Sequence, residues 1–372
     1  MPARRPTRAD VAREAGTSEA VVSYVLNDGP RPVAAATRKK VVDAVAKLGY
    51  RPNRAAQALA NGRTGTYGLV LPNITNAFIS EIAHAIELEA FGSEKVIIVG
   101  DSADSHEREL KLLKSLVAEH VDGIIYMGVT ERLHSDFLRE AGVPAVIFTR
   151  ADSDGVLDTV RIDETREVFA LTRHMLWHGY RDVGMLTGPV NMSNSTWRAD
   201  GWIQALGEAN IDPESQVVGH AAYSRGAAYD WTLEQVKRHR MPRALVTGNE
   251  RQAVGVLAAL NDCGLHVPDD VAVCALNGTA DSGYTIPSLT SIRQPFSEMA
   301  REVFRLLDTP ADEPRKAEFR GDLVIGKSCG CAGTLGMDRK TLASWGTPDP
   351  ANLDSSAGVA PAEGAGTSPT GA

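Results

Sequence analysis

From residue 66 onward the chain alternates short apolar runs with amphipathic stretches, and this alternation constrains the fold more than any other feature. Tyr67-Gly68-Leu69-Val70-Leu71 is a continuous apolar run, as expected of a strand buried on both faces. A helical period follows over 80–91, then a strand at 96–99, a helix at 108–119 and strands at 123–127 and 145–148. The pattern restarts after Asp163, with helices at 164–178, 198–209, 227–239 and 252–263 between strands at 183–186, 216–219, 244–247 and 271–276. Residues 297–307 read as a further helix and 323–325 as a last strand. Such alternation predicts parallel sheets flanked by helices. Two runs of comparable size predict two α/β lobes, with a ligand cleft at the carboxyl ends of their strands.

The first 63 residues have a different texture. Thr7 is placed to cap a helix that stops at Gly16, and Ser18 to cap a second helix running to Leu26. Asn27-Asp28-Gly29-Pro30 breaks the chain, and a third helix starts at Thr37 with Val41, Val42, Val45 and Leu48 on one face. Ala12, Gly16 and Val22 have the spacing of a helix-turn-helix, in which a small residue admits the second helix, a glycine makes the turn and an aliphatic residue fills the contact. Val11, Ala15, Val21 and Val25 complete a small core, which leaves Glu19, Ala20 and Tyr24 on the outer face of the second helix. A generic three-helix bundle shares that spacing, so charge must discriminate. The net charge of −8 argues against a nucleic-acid partner only until it is divided. Residues 1–63 hold twelve Lys and Arg against five Asp and Glu, a net +7, which leaves −15 for the remainder. A basic head on an acidic body suits phosphate binding through the head alone.

The composition, 43% hydrophobic and 23% charged, excludes a fibrous or wholly disordered chain. There is no apolar signal segment and no run of about 18 apolar residues, so a cytoplasmic, nucleoid-associated location with no membrane contact is expected. The four cysteines, Cys263, Cys274, Cys329 and Cys331, read as free thiols. Cys329-Gly330-Cys331 is a weak redox or metal signal, and the nine histidines read as unpaired surface or core residues, so neither metal nor cofactor is expected. No Walker A, GxSxG, HExxH or GxGxxG pattern supports an enzyme. The tail from 337 to 372 is rich in Ala, Gly, Pro, Ser and Thr and reads as disordered.

Several motifs together resemble the LacI/GalR family of transcriptional regulators. They are the run from Arg8 to Ser18, Val22-Ser-Tyr-Val-Leu-Asn27, Thr37-Arg38, Gly49-Tyr50-Arg51-Pro52-Asn53 and Ala56-Gln-Ala-Leu-Ala60. The similarity extends to about Ser328. It implies an N-terminal all-α headpiece on a core like the periplasmic sugar-binding proteins: headpiece 1–50, hinge helix and linker 51–65, one lobe from 66–163 plus 293–321, and the other from 164–292 plus 322–336. It assigns Ser18, Ser23 and Asn27 to the DNA backbone, Glu19, Ala20 and Tyr24 to base edges, and places Thr7 among the DNA-binding residues. Tyr24 departs from the commonest pattern, which has Arg there. Residues 53–60 resemble the hinge helix, with Asn53, Arg54 and Ala56 at the DNA and Leu59 as the minor-groove wedge.

In the core the resemblance places Asn76, Phe78, Thr149, Arg198, Asn249, Asn277 and Gln294 against a small-molecule effector. Phe78 would stack on it, and Arg198 would offer a planar fork of donors. Thr149 and Asn277 stand where the family commonly has Asp, so the effector is expected to be less rich in hydroxyls than usual, or anionic. The resemblance implies a sequence-specific repressor on a pseudo-palindromic operator in double-stranded DNA. It would act as a homodimer, because the tail lacks the heptads of the family's tetramers. Its effector would be carbohydrate-like and would act through hinge-helix order. The alternative is a solute-binding protein without a regulatory role.

Overall fold

A computed structural model describes residues 6–26, 31–51, 62–130, 132–149 and 155–331. Asn27, the expected hinge helix with Asn53, Arg54, Ala56 and Leu59, and the tail from 337 lie outside the described residues.

The head is three helices. In α1 (Arg8–Ala15) the side chain of Thr7 accepts from the Asp10 amide at 3.3 Å, and the Thr7 amide donates to the Asp10 carboxylate at 2.9 Å. This reciprocal cap satisfies two helix-end donors. The helix ends at Gly16, whose φ of 64° is left-handed, and the turn leads into α2 (Glu19–Leu26). Helix α3 (Ala35–Leu48) starts two residues before the predicted Thr37. Val11, Ala12, Val22, Val25, Val41 and Ala44 close the core, with Val45 and Leu48 packed at its edge. Val42 is a correction: it is 52% exposed. At about 100° per residue it cannot share the face that Val41, Ala44, Val45 and Leu48 define.

The body begins with β1 (Thr66–Leu71), α4 (Ala77–Gly92), β2 (Val96–Asp101), α5 (His106–Ala118), β3 (Gly123–Tyr126), α6 (Ser135–Ala141), β4 (Ala145–Phe148) and β5 (Asp158–Ile162). It continues with α7 (Glu164–Trp177), β6 (Val183–Thr187), α8 (Ser193–Glu208), β7 (Val218–His220), α9 (Arg225–Lys237), β8 (Ala244–Thr247), α10 (Glu250–Asp262), β9 (Ala272–Ala275) and β10 (Thr290–Arg293). The last described elements are α11 (Phe296–Asp308), β11 (Lys316–Phe319) and β12 (Asp322–Val324). One sheet has the order β11-β5-β4-β3-β1-β2 and is wholly parallel. The other has the order β12-β10-β9-β8-β6-β7, parallel except where β12 runs against β10. The chain thus passes between lobes at β5 to α7, at β10 to α11 and at β11 to β12. No helix among the described residues is long and apolar enough to cross a membrane.

The sequence pattern missed α6, β5 and β11. In β5 the alternation is masked by Asp158 and Arg161, whose charges are met by Arg315 and by Glu318 of β11. Strand β7 starts later than predicted because the Gln216 side chain instead accepts from the Val183 amide at 2.8 Å. Two glycines set helix spacing. A Cβ at Gly201 would collide with the Thr165 carbonyl, and one at Gly255 with the Arg225 carbonyl, so these positions let α8 lie against α7 and α10 against α9. Trp202 beside Gly201 is buried and donates to the Val183 carbonyl at 3.0 Å.

Glu167 of α7 braces the β11–β12 crossover by accepting the Gly321 amide at 2.7 Å. Burial pushes its carboxyl up to about 8; Asp163 adds to the rise, while the Gly321 bond, Arg166 and Arg320 oppose it. The ordinary value is 4.5, so between pH 4.5 and about 8 the folded protein holds a proton that the unfolded chain has released. Stability therefore falls as pH rises through that window, by up to about 1.4 kcal/mol per unit from this group. Glu167→Gln keeps an acceptor for Gly321 and removes the titration. Urea midpoints at pH 5 and pH 8 should show the variant gaining on the wild type toward pH 8; an unchanged difference would contradict a protonated Glu167.

Candidate functional site

The head exposes one stripe. Glu19 and Ala20 lie in the first turn of α2 and are exposed, and Ser23 and Tyr24 follow one turn later, half-buried. Ser18 Oγ accepts the Val21 amide at 3.4 Å, next to the amide end of the helix, where the dipole favours phosphate. Arg38 of α3 donates to the Val25 carbonyl at 3.3 Å and so ties down the far end of α2. Thr7 sits at the corresponding amide end of α1. Thr7, Ser18, Glu19, Ala20, Ser23 and Tyr24 are thus all on the first two helices or their caps.

Between the lobes lies a cavity of about 770 Å³. All seven residues expected at the effector line it: Asn76, Phe78 and Thr149 from one lobe, Arg198, Asn249 and Asn277 from the other, and Gln294 at a crossover. The strand ends explain the convergence, since every parallel strand delivers its following loop to the same edge. Asn76 caps α4 by accepting from Phe78 N at 3.3 Å, and Asn249 caps α10 by accepting from Gln252 N at 2.8 Å. Thr149 after β4 and Asn277 after β9 have φ of 66° and 59°. Left-handed backbone is uncommon for any side chain and strained for a β-branched one, so Thr149 is held there by its surroundings. Gln294 donates to Asn277 Oδ1 at 2.6 Å, and both are buried.

Arg198 and Phe78 also have partners within the protein. The fork of Arg198 is not free: Nε and one terminal nitrogen donate to Glu164 at 3.0 and 2.9 Å, and the guanidinium lies 4.7 Å over the Tyr223 ring. The expectation of a fork open to the effector is corrected to that extent. Phe78 packs edge-on against Phe296 at 5.2 Å as well as lining the cavity.

Sequence reasoning missed Glu164, Tyr223 and Arg251, which also line the cavity; Glu250, which with Asn249 matches a family Asn-Asp pair, lines it too. Glu250 accepts from Thr279 N at 3.0 Å and Ser282 Oγ at 2.8 Å; burial raises its carboxyl above the usual range despite these bonds. The Glu164–Arg198 pair spans 34 residues, which no local pattern reveals. Arg251 Nε and Gln294 Oε1 are buried with no hydrogen-bond partner among the described residues, one a donor and the other an acceptor. The reading of the histidines as unpaired fails at His174 and His178, four residues apart and both facing Cys329 and Cys331.

A basic helix-turn-helix head carried on two lobes that enclose a polar cleft defines a DNA-binding transcriptional regulator that responds to a ligand. The family model for bacterial regulatory proteins of the lacI family matches residues 7–53, and that for a periplasmic binding protein-like domain matches 172–329. Catabolite control protein A of Priestia megaterium is 32% identical over 301 residues, covering 80% of this chain and 90% of that protein. The regulator GalS of Salmonella typhimurium is 30% identical over 295 residues, covering 78% and 86%. The lac repressor dimer bound to operator and the anti-inducer ONPF superposes with a TM-score of 0.75 at 25% identity, covering 88% of this chain and 99% of that one. The complex of the regulator CelR with cellobiose gives 0.64 at 27% identity, covering 87% and 100%. The chain belongs to the LacI family of bacterial regulatory proteins.

Proposed function

We propose that this regulator is a cytoplasmic, non-enzymatic repressor that binds a pseudo-palindromic operator as a homodimer and releases or engages it according to a carbohydrate-like effector in the cleft. The observation that carries the effector reading is the cavity lined from both lobes by polar side chains such as Asn76, Arg198, Asn249 and Asn277. A hydroxyl both donates and accepts, so a sugar or sugar derivative suits a wall that offers both donors and acceptors better than an apolar ligand does. The similarity to a cellobiose-bound regulator points the same way. The effector acts only through its different affinity for the open and closed lobes, and Asn53–Ala60 is the segment through which closure reaches the DNA. Calorimetric titration against neutral sugars, sugar acids and sugar phosphates tests this, with Gln294→Leu expected to cost about tenfold or more in affinity. Selection of bound fragments from random DNA tests the head; no retention at low salt would sink the regulator reading in favour of a solute-binding protein.

The dimer reading rests on an exposed apolar patch. Strand β2 is an edge strand, and its Val96, Ile98 and Val99 are exposed, beside Leu88 and the 76% exposed Phe91 of α4. A bare apolar edge promotes association unless it is covered, and a second copy covers it. Two heads would then meet half-sites about 34–36 Å apart. Phe91→Glu combined with Ile98→Lys should sediment as a monomer and lose about 100-fold or more in operator affinity, as expected when bivalent binding is lost. A variant that remained dimeric would place the interface elsewhere.

A further inference from the structure

Outside the cleft, one group of side chains has no place in the regulatory reading. His174 on α7 and His178 at its C-terminal cap face Cys329 and Cys331 beyond β12. His174 Nε2 lies 3.2 Å from Cys329 Sγ and 3.9 Å from Cys331 Sγ, and His178 Nε2 lies 3.2 Å from Cys331 Sγ. All four ligand-type atoms fall within 4.8 Å of one another. We propose that these four residues form a tetrahedral site for a zinc-class cation, which pins the end of the second lobe to α7.

The geometry and the chemistry agree. Zinc–sulfur and zinc–nitrogen bonds of about 2.3 and 2.0–2.1 Å give nitrogen–sulfur edges of about 3.6 Å in a tetrahedron. Three of the four nitrogen–sulfur separations, 3.2, 3.2 and 3.9 Å, straddle that edge and the fourth is within 4.8 Å, so small rotamer changes close the site. Two thiols and two imidazoles without a carboxylate select a soft or borderline cation over magnesium or calcium. The scaffold is built for convergence. The two histidines are one helical turn apart, and Gly330 between the cysteines adopts φ of 101°, which turns both sulfurs to the same side. The surroundings resemble the outer shell of a metal site. Thr290 Oγ1 donates to Cys329 Sγ at 2.9 Å, and the Tyr180 hydroxyl donates to the Cys329 carbonyl at 3.3 Å. Cys329 and His174 are fully buried, while Cys331 and His178 remain half-buried, so the cation has an entry side. Four protein ligands leave no open position, which makes the site structural rather than catalytic. Binding would deprotonate both thiols and release two protons to solvent. It would also clamp residues more than 150 positions apart in sequence.

The test uses the full chain, loaded with zinc under a phosphine reductant and then freed of excess by gel filtration. Elemental analysis should find close to one zinc per chain, and cobalt(II) should give the intense visible bands of a tetrahedral thiolate site. Cys331→Ser and His178→Ala change half-buried residues, and circular dichroism checks that each folds. Each should lose roughly 100-fold in cobalt affinity, while Thr290→Val, an outer-shell change, should lose about tenfold. Cys263→Ser, an exposed cysteine outside the cluster, should lose nothing. The proposal is overturned by substoichiometric zinc in the loaded wild type, by a cobalt spectrum that survives in both ligand variants, or by a Cys329–Cys331 disulfide that persists under the reductant.

Discussion

Arg198→Ala should destabilise the second lobe by about 3–5 kcal/mol, because it strips the partner from a largely buried carboxylate. Arg198 and Glu164 are both buried, 3% and 7% exposed, and are joined by two hydrogen bonds of 2.9 and 3.0 Å. Burial opposes the charge on Arg198, but Glu164 and Tyr223 outweigh that penalty and hold its pKa above the ordinary value. The pair links the first turn of α7 to α8 at the rim of the cleft, so its loss should also weaken effector binding by loosening the wall. Urea unfolding should show a lowered midpoint with little change in slope. The double variant with Glu164→Ala should lose less than the sum of the two single variants, because the second change removes the stranded charge. If Arg198 served the effector alone, Arg198→Ala would abolish titration heats and leave the urea midpoint in place. That result would restore the simpler reading drawn from the sequence.

The contrast shows which parts of this molecule are legible in its sequence. Apolar strands such as Tyr67–Leu71 and Ala244–Thr247 are buried on both faces, so they appear as unbroken runs. The head is legible because a turn, a cap and a small core must fall at fixed spacings within twenty residues. Strand β5 is hidden, because ion pairs from distant Arg315 and Glu318 excuse charged residues in a sheet. The residues around the cleft are recognisable by their place after strands, and resemblance supplies their type. What they do to one another is not. Arg198 is turned toward Glu164, Gln294 toward Asn277, and Asn76 and Asn249 toward their own helix ends, through contacts that depend on the tertiary fold. The His174, His178, Cys329 and Cys331 cluster fails in the same way: its two halves are 151–157 residues apart, and neither half is a strong motif alone.

Gly16→Val should abolish operator recognition while leaving the body intact. A Cβ at this position would meet nothing within 4 Å, so space is not the constraint. The constraint is the backbone, whose φ of 64° ends α1 and sets the angle at which α2 leaves. An L residue in that conformation costs about 1–2 kcal/mol, and a β-branched side chain more. The head has little reserve to absorb the strain. Its buried core is Val11, Ala12, Ala15, Val22, Val25, Val41, Ala44 and Tyr50, with no large aliphatic residue among them. A core this small supports only a few kcal/mol of stability. Fluorescence anisotropy on the selected operator, at fixed salt, should show affinity falling about 10³-fold or more toward the non-specific level. Calorimetric titration of the effector should be unchanged, because the cavity draws no lining residue from the head. Gly16→Asn supplies the control, since Asn tolerates left-handed backbone and should keep affinity within about tenfold. Equal loss in both variants would shift the cause from backbone conformation to the side chain itself, in contact with DNA. Full operator discrimination in Gly16→Val would mean that the turn does not set the approach of α2 to the major groove.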